Sequence, residues 1–139
     1  MKDFFFLIVG IAVIAASFYA FLQKPAPERY QKNEQFTINN LQLEIADTDA
    51  ERILGLSGRE SLPAGMGLLF VFEEPGMHGF WMKDMKFAID IIWLGENYEV
   101  LGIEKNVSPQ TYPEVFYPPQ PVKYVLETNP GEIVVLESN

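Results

Sequence analysis

Two charged side chains, Lys83 and Asp90, lie beside or within otherwise apolar, strand-like sequence. Lys83 follows Gly-Phe-Trp-Met, and Asp90 interrupts the run Ala-Ile-Asp-Ile-Ile-Trp-Leu. A charge without a partner is costly in such surroundings, so each side chain needs a specific role. Asp90 could orient a cation in a binding site. Alternatively, Asp90 could form a structural ion pair with an arginine while Lys83 is a solvated charge at a strand edge.

A second group of possible ligands surrounds the one histidine of the chain: Met77, His78, Met82 and Met85. Thioethers and imidazole are suitable ligands for Cu(I). Methionine also fills gaps around aromatic side chains in protein cores. We favour core packing or a loop for these residues, with copper as the alternative, and we predict no cofactor.

Recognisable catalytic motifs are missing from the sequence. Neither Ser57 nor Ser61 lies in a nucleophile-elbow sequence that could use His78 as a base. The 19 acidic residues make pairs of carboxylates inevitable, so such pairs carry little information. There is no glycine-rich phosphate loop and no dinucleotide fingerprint. We therefore lean against an enzyme, and the alternative from this class is a small hydrolase-like enzyme using Asp90 and Lys83.

The segment from Phe4 to Leu22 is a run of 19 residues without a charged side chain. As a helix it would span roughly 28 Å, close to the hydrocarbon thickness of a bilayer. A cleaved signal peptide would have a shorter apolar stretch, and Phe18 occupies a position where the peptidase needs a small side chain. The sequence predicts that residues 1–22 are an uncleaved membrane anchor. The count of basic residues on its two sides mildly favours a cytoplasmic domain.

Composition separates the remaining chain into a linker and one domain. Residues 23–35 are rich in proline and polar side chains, which predicts a flexible linker, and residues 36–139 have the size of a single globular domain. The net charge of −9 argues against nucleic acid or anionic lipid as a partner of the domain. The absence of cysteine from the sequence excludes disulfides, a thiol nucleophile and thiolate metal sites.

Local patterns predict a hairpin followed by one short helix. Two alternating runs flank Asn39-Asn40, a pair that tolerates the positive φ of a tight hairpin turn. Thr48 and Glu51 have the spacing of a capping box, and the apolar residues that follow predict a helix that ends near Ser57-Gly58.

Strand-like patterns dominate the rest of the domain. They cover residues 67–72, 79–82, 88–94, 98–103, 122–127 and 132–136, and five prolines make residues 109–121 an expected irregular loop. No spacing typical of a βαβ unit is present. The sequence therefore predicts a mainly β (α+β) domain, a compact antiparallel barrel or sandwich of about seven short strands with one short helix, preceded by a transmembrane helix.

Several sequence blocks also occur together, in the same order, in a known family. They are Arg52-x-x-Gly55-Leu56-Ser57-x-Arg59-x-x-Leu62, Gly65-Met66-Gly67-Leu68-Leu69-Phe70-Val71-Phe72, Phe80-Trp81-Met82-Lys83-Asp84-Met85, Ile89-Asp90-Ile91 and Tyr124-Val125-Leu126-Glu127. The chain resembles the domain of unknown function 192, also called uncharacterised protein family 0127, over roughly residues 41–131. The resemblance implies a domain outside the cytoplasm behind a signal or anchor segment, and it implies no reaction. The family usually continues beyond the position of Gly131 with a short helix, whereas this chain ends at Asn139.

The charged residues of these blocks form our hypothetical ligand site. Arg52 or Arg59 with Lys83 would recognise an anion, Asp90 would orient one of these cations, and Trp81 with Phe80 would be an apolar wall. Glu127 is a further candidate in the last block.

The sequence and the family resemblance predict a single-pass, membrane-anchored and extracytoplasmic β domain that binds a small anionic ligand or a protein partner. The alternatives are the hydrolase-like enzyme and a structural or assembly accessory protein of the cell envelope. The accessory protein would expose a flat apolar patch formed partly by Phe116 and Tyr117.

Overall fold

Strands are the predominant regular structure in the part of the chain that the computed structural model describes, which comprises residues 37–38 and 40–132. The elements in chain order are β1 Thr37–Ile38, β2 Leu41–Ala46, α1 Asp49–Leu54, β3 Met66–Gly76, β4 Phe80–Trp81, β5 Ile89–Leu94, β6 Val100–Val107, a 3-10 helix Pro109–Thr111, β7 Val115–Phe116 and β8 Val122–Thr128. The prediction of a mainly β domain with one short helix is confirmed.

Three sequence predictions lie outside the described residues. These are the anchor at residues 1–22, the linker at residues 23–35 and, except for Glu132, the final strand at residues 132–136. Within the described ranges, no helix combines the length and the apolar character needed to cross a bilayer.

Six of the strands form one open sheet. Their order is β1-β2-β3-β8-β5-β6, and β4 pairs with β7 in a separate two-stranded sheet. The predicted closure into a barrel is wrong. Closure requires the two edge strands to pair, and in the described chain β1 pairs with β2 and β6 with β5. The short β7 also lies within residues 109–121, where the sequence predicted only an irregular loop.

One pair of strands is parallel, contrary to the prediction that the chain has no βαβ unit. β2 pairs with β3 in parallel, with Glu44 beside Leu68, and the connection between them contains α1. Parallel neighbours need a crossover of a dozen or more residues. The helix has only six residues and is followed by a long irregular segment, so its pattern did not indicate a crossover.

Local turn and cap chemistry was predicted well. β1 and β2 form an antiparallel hairpin in which Asn40 has a φ of 66°. Thr48 Oγ1 accepts a hydrogen bond from the Glu51 amide, and the Glu51 carboxylate accepts one from the Thr48 amide, which completes the capping box. The helix ends at Leu54, earlier than predicted, because Gly55 adopts a φ of 51° and turns the chain out of the helix.

Both faces of the six-stranded sheet carry buried apolar side chains. The inner face, defined by Leu68, Phe70, Ile91, Trp93 and Val125, is packed against Leu56, Leu62 and Met82 from the surrounding segments. The outer face carries Leu69, Ile92 and Leu126. Alternation of side chains along the strands separates the two sets. The central strand β8 therefore contributes residues to both cores.

Candidate functional site

A cavity of about 440 Å³ opens between α1, the end of β3 and β4, over the inner face of the sheet. Its walls are largely aromatic, with Phe70, Phe72, Phe80 and Trp81 among the lining side chains. The Phe70 and Phe80 rings meet edge to face, with centroids 4.8 Å apart. A cavity of this volume, with aromatic walls and a few polar groups, is typical of small-molecule sites.

Glu127 is the most buried titratable side chain that lines this cavity. It is 5% exposed, and β8 places it on the inner face between Leu68 of β3 and Ile91 of β5. Its Oε2 atom is buried and has no hydrogen-bond partner in the described structure. The Glu127 carboxyl group therefore lies between two apolar strand neighbours, Leu68 and Ile91, and one of its oxygens lacks a partner.

Burial raises the pKa of Glu127 to about 8, and the charge of Arg59 opposes this rise. Removal from water destabilises the charged form of a carboxyl group, which is the dominant effect here. At neutral pH Glu127 is therefore mostly protonated, and it can both donate and accept a hydrogen bond.

Arg59 is held beside the cavity and does not line it. Its guanidinium forms two parallel hydrogen bonds of 2.8 Å with the carboxylate of Glu44, which lies in the same row of the sheet as Leu68 and Glu127. These bonds lower the pKa of Glu44 and raise that of Arg59. Glu44 was not among the site residues predicted from the sequence. In the alternating pattern of β2, Glu44 lies on the same face as Ala46, which is buried in the inner core. This alternation could have indicated that Glu44 points inward.

Arg52 lines the cavity, but its guanidinium already has several acceptors. It donates hydrogen bonds to the carbonyl oxygens of Asp47 and Val71 at 2.6 and 2.7 Å and to the Asp49 carboxylate at 2.6 Å. It also lies 5.5 Å from the centroid of the Phe72 ring. Arg52 thus links α1 to β3 by hydrogen bonds, and this structural role accounts for a cation in the wall of the cavity.

His78 lies at the edge of the cavity, stacked on Phe72. The two rings are 3.5 Å apart and nearly parallel, and the imidazole Nε2 lies 3.3 Å from the Glu74 carbonyl oxygen. Burial lowers the pKa of His78, so the imidazole is mostly neutral at pH 7. A Cβ atom at Gly76 would approach the imidazole to 2.9 Å, so only glycine leaves the ring this position.

The predicted pair of Lys83 and Asp90 is not brought together at the cavity. Lys83 is exposed, and its Nζ atom lies 5.9 Å from the ring centroid of Trp81, which is itself 51% exposed at the cavity. Asp90 is 4% exposed, and its two oxygens accept hydrogen bonds from the backbone amides of Asn106 at 2.6 Å and Gly131 at 2.8 Å. Asp90 therefore braces backbone segments and does not orient a cation.

The four residues of the copper alternative occupy different environments. Met82 is buried in the core, Met77 is exposed, and Met85 and His78 line the cavity. Within residues 37–38 and 40–132, no group of three or more histidine, aspartate or glutamate side chains is arranged to hold a metal ion. Core packing accounts for Met82.

Of the six predicted site residues, the structure places Arg52, Trp81 and Glu127 on the cavity wall. Arg59 does not line the cavity, but its charge lowers the pKa of Glu127. Lys83 and Asp90 lie elsewhere. Sequence reasoning missed Phe70 and Phe72 as cavity walls. Their regular alternation in the β3 run could have indicated that they share one face of the sheet.

Comparison with known proteins adds a family and a shared fold. The family model DUF192, described as an Uncharacterized ACR, matches residues 30–137. A crystal structure of a protein of unknown function from Novosphingobium aromaticivorans DSM 12444 is 35% identical with a TM-score of 0.61, covering 66% of this chain and 64% of that chain. The chain thus spans slightly less than two thirds of that protein.

A second crystal structure has the same fold. It is a protein from Sinorhizobium meliloti 1021 described as a "putative transcription regulator", 29% identical with a TM-score of 0.63, and the match covers 66% of this chain and 70% of that chain. No curated protein matches the chain.

Proposed function

The chain belongs to the DUF192 family, and from this starting point we propose that its β domain binds a small molecule in the cavity beside Glu127. One observation carries the proposal: a carboxyl group that is only 5% exposed lines an aromatic cavity, and one of its oxygens is buried without a hydrogen-bond partner. An unpaired buried polar group is costly, so it is retained where a ligand can use it. Binding would supply the missing partner and bury the aromatic walls.

The other functions predicted from the sequence have less support. An anion would need free cations in the cavity, yet Arg59 is engaged with Glu44, and Lys83 does not line the wall. The hydrolase alternative needs Asp90 beside Lys83, but the Asp90 oxygens accept backbone hydrogen bonds from Asn106 and Gly131.

An uncharged fluorescent probe, N-phenyl-1-naphthylamine, tests the binding of small molecules without assuming their charge. We expect its fluorescence to rise when it enters the cavity of the full chain. Met85→Trp should fill part of the cavity, because Met85 lines it, and should weaken probe binding at least tenfold. Met77→Trp is the matched control, since this exposed methionine is not on the wall, and it should bind like the parent. Equal binding by both variants, or no binding by the parent, would remove the proposal.

A protein partner is the second candidate, supported by exposed apolar side chains next to the cavity. Ile53 and Leu54 of α1 are 82% and 62% exposed. Such side chains commonly contribute to docking surfaces. A photo-crosslinking amino acid at position 53 of the full chain in its native membrane should give one discrete adduct, which Leu54→Ser should weaken. A lack of any discrete adduct would count against a partner at this surface.

We also propose that residues 4–22 anchor the domain in a membrane, with the domain outside the cytoplasm. The uncharged run of 19 residues supports the anchor. The family resemblance supports the orientation, against the mild preference from the count of basic residues. The full chain should remain in the membrane pellet after a carbonate wash, and deletion of residues 4–22 should release it. The outer layers of the cells are permeabilised while the cytoplasmic membrane stays sealed. Protease added to these cells should digest the domain. A soluble full chain, or a domain protected until the cells are lysed, would contradict anchoring or orientation respectively.

A further inference from the structure

We propose that the ligand of this cavity is an organic cation, an amine whose ammonium group pairs with the Glu127 carboxylate and whose apolar body packs on the aromatic walls. This inference rests on the proposed function and assigns the chemical class of its ligand.

The charges around the cavity favour a cation over an anion. Among the described lining residues the unpaired buried oxygen belongs to Glu127, and an anionic group placed there would meet a second acceptor. The guanidinium of Arg52 is turned toward two backbone carbonyls and the Asp49 carboxylate. Asp49 also lies on the wall, so the Arg52 charge has a local counter-charge 2.6 Å away. An ammonium group would give Glu127 the partner that the fold leaves out.

The walls are suited to a cation as well. The faces of aromatic rings carry partial negative charge, so cations bind over phenylalanine and tryptophan rings. Phe70, Phe80 and Trp81 provide three such rings around the cavity, whereas the Phe72 ring is already stacked with His78 and approached by Arg52. The same interaction is already present at the edge of the cavity, where the Arg52 guanidinium lies 5.5 Å from the Phe72 ring centroid.

The remaining titratable groups that face Glu127 do not supply the missing counter-charge. Arg59, packed behind the cavity, attracts the Glu127 carboxylate, but its guanidinium is paired with Glu44 in two hydrogen bonds. His78 is held mostly neutral by burial, so it does not repel an ammonium group at pH 7. The strand neighbours of Glu127, Leu68 and Ile91, are apolar.

Binding of an amine must be accompanied by proton release. The ammonium group enters with its own proton, and Glu127 must lose its proton to solvent before the two groups can pair. Because the pKa of Glu127 is about 8, close to one proton should leave per amine bound at pH 7. The affinity for the amine should rise close to tenfold between pH 7 and pH 8.5, where the carboxylate is already formed.

Three probes with the same phenylethyl body separate the possible ligand classes. They are 2-phenylethylamine, 2-phenylethanol and 3-phenylpropionate, each titrated into the full chain by calorimetry and by displacement of N-phenyl-1-naphthylamine. We expect the amine to bind at least tenfold more tightly than the alcohol, and the acid to bind most weakly. Calorimetry at pH 7 in phosphate and in HEPES, which differ in ionisation enthalpy, counts the protons released.

Two variants assign the effect to Glu127. Glu127→Gln keeps the shape of the protonated side chain and cannot ionise, so it should lower the affinity for the amine at least tenfold and change that for the alcohol less than twofold. Glu104→Gln is the matched control, since Glu104 lies in the same row of the sheet, beyond Ile91, and outside the cavity wall. The proton count on the parent chain needs no variant and decides the question even if Glu127→Gln folds poorly.

The inference fails if the three probes bind equally, if 3-phenylpropionate binds most tightly, or if amine binding releases no proton. In each of these cases, binding of the naphthylamine probe by the parent, weakened by Met85→Trp, would still support a binding cavity. If neither the naphthylamine nor the phenylethyl probes bind the parent chain, the proposed function and this inference fail together.

Discussion

Glu127 and Asp90 are two carboxyl groups with almost the same burial, 5% and 4% exposed, on neighbouring strands of one sheet. Asp90 accepts backbone hydrogen bonds through both oxygens, whereas Glu127 keeps one oxygen unpaired beside a cavity. Burial alone therefore does not distinguish a structural acid from a candidate ligand-binding acid. The hydrogen-bond partners make the distinction, because a satisfied carboxylate stabilises the fold and an unsatisfied one is costly until something binds.

The largest expected effect tests the Glu127 side of this comparison. The pKa of Glu127 is about 8 in the folded chain and near 4.5 when unfolded, so the folded chain holds a proton that the unfolded chain has lost. The resulting stabilisation is complete below pH 4.5 and disappears as the pH rises through 8. Relative to Glu127→Gln, the free energy of unfolding of the parent should fall by up to about 4 kcal/mol between pH 5 and pH 8.5.

Urea denaturation across this pH range measures the difference. Glu104→Gln removes a carboxylate from the same row of the sheet and should follow the parent at every pH. If the parent and Glu127→Gln change with pH in parallel, the proton on Glu127 has been misassigned.

The next effect tests the Asp90 side. Asp90→Ala leaves the amides of Asn106 and Gly131 without their acceptor and should lower the free energy of unfolding by about 3 kcal/mol. Asp90→Asn retains one acceptor and should lose about half as much. Urea denaturation at pH 6 compares them with the exposed control Glu96→Ala, which should change stability by less than about 0.5 kcal/mol. A loss below about 1 kcal/mol for Asp90→Ala would show that its hydrogen bonds are not structural.

A smaller change in stability is expected when the electrostatic potential at Glu127 is altered. Arg59→Met removes the cation that opposes the rise in the pKa of Glu127, so this pKa should move upward, and the pKa of Glu44 should return toward its ordinary value. The Arg59 and Glu44 side chains are 36% and 40% exposed, so solvent screening should limit the loss of stability to below about 1 kcal/mol. Carboxyl-carbon NMR titration follows both groups. A fall in the pKa of Glu127 would contradict this account.

The smallest change in stability is expected at Lys83, whose charge lies neither beside Glu127 in the cavity nor beside Asp90. Its Nζ atom lies over the face of the Trp81 ring, 5.9 Å from the centroid, and the side chain is exposed. Lys83→Met should change the free energy of unfolding by less than about 0.5 kcal/mol. Thermal denaturation against Lys83→Arg measures this, and a loss greater than about 1 kcal/mol would restore Lys83 to a structural role.

The parts of the fold that could be predicted depend on residues close in sequence. The capping box joins Thr48 to Glu51, and the hairpin turn needs only the conformational freedom of Asn40. The role of Asp90 depends instead on Asn106 and Gly131, which are 16 and 41 residues away. No local pattern specifies such partners, so the sequence indicated that Asp90 needed a partner and did not indicate which one.

The candidate site shows the same limit. Glu127 could be nominated from its sequence block, yet its environment depends on β3 and β5 lying on either side of β8. The parallel pairing of β2 with β3 places Glu44, and through it Arg59, in the row that contains Glu127. Strand order is a property of the whole sheet, and period-two alternation does not encode it.

The order of the strands also has a consequence for biosynthesis. β8, the last strand described, lies between β3 and β5, so the middle of the sheet has no neighbour to complete it until residue 128 has left the ribosome. Before then, β2 has its partners β1 and β3, and β5 has its partner β6, but no strand connects these two parts of the sheet. Domains that depend on such distant pairings fold late. The sheet therefore becomes continuous only when its last described strand takes its place between the two parts.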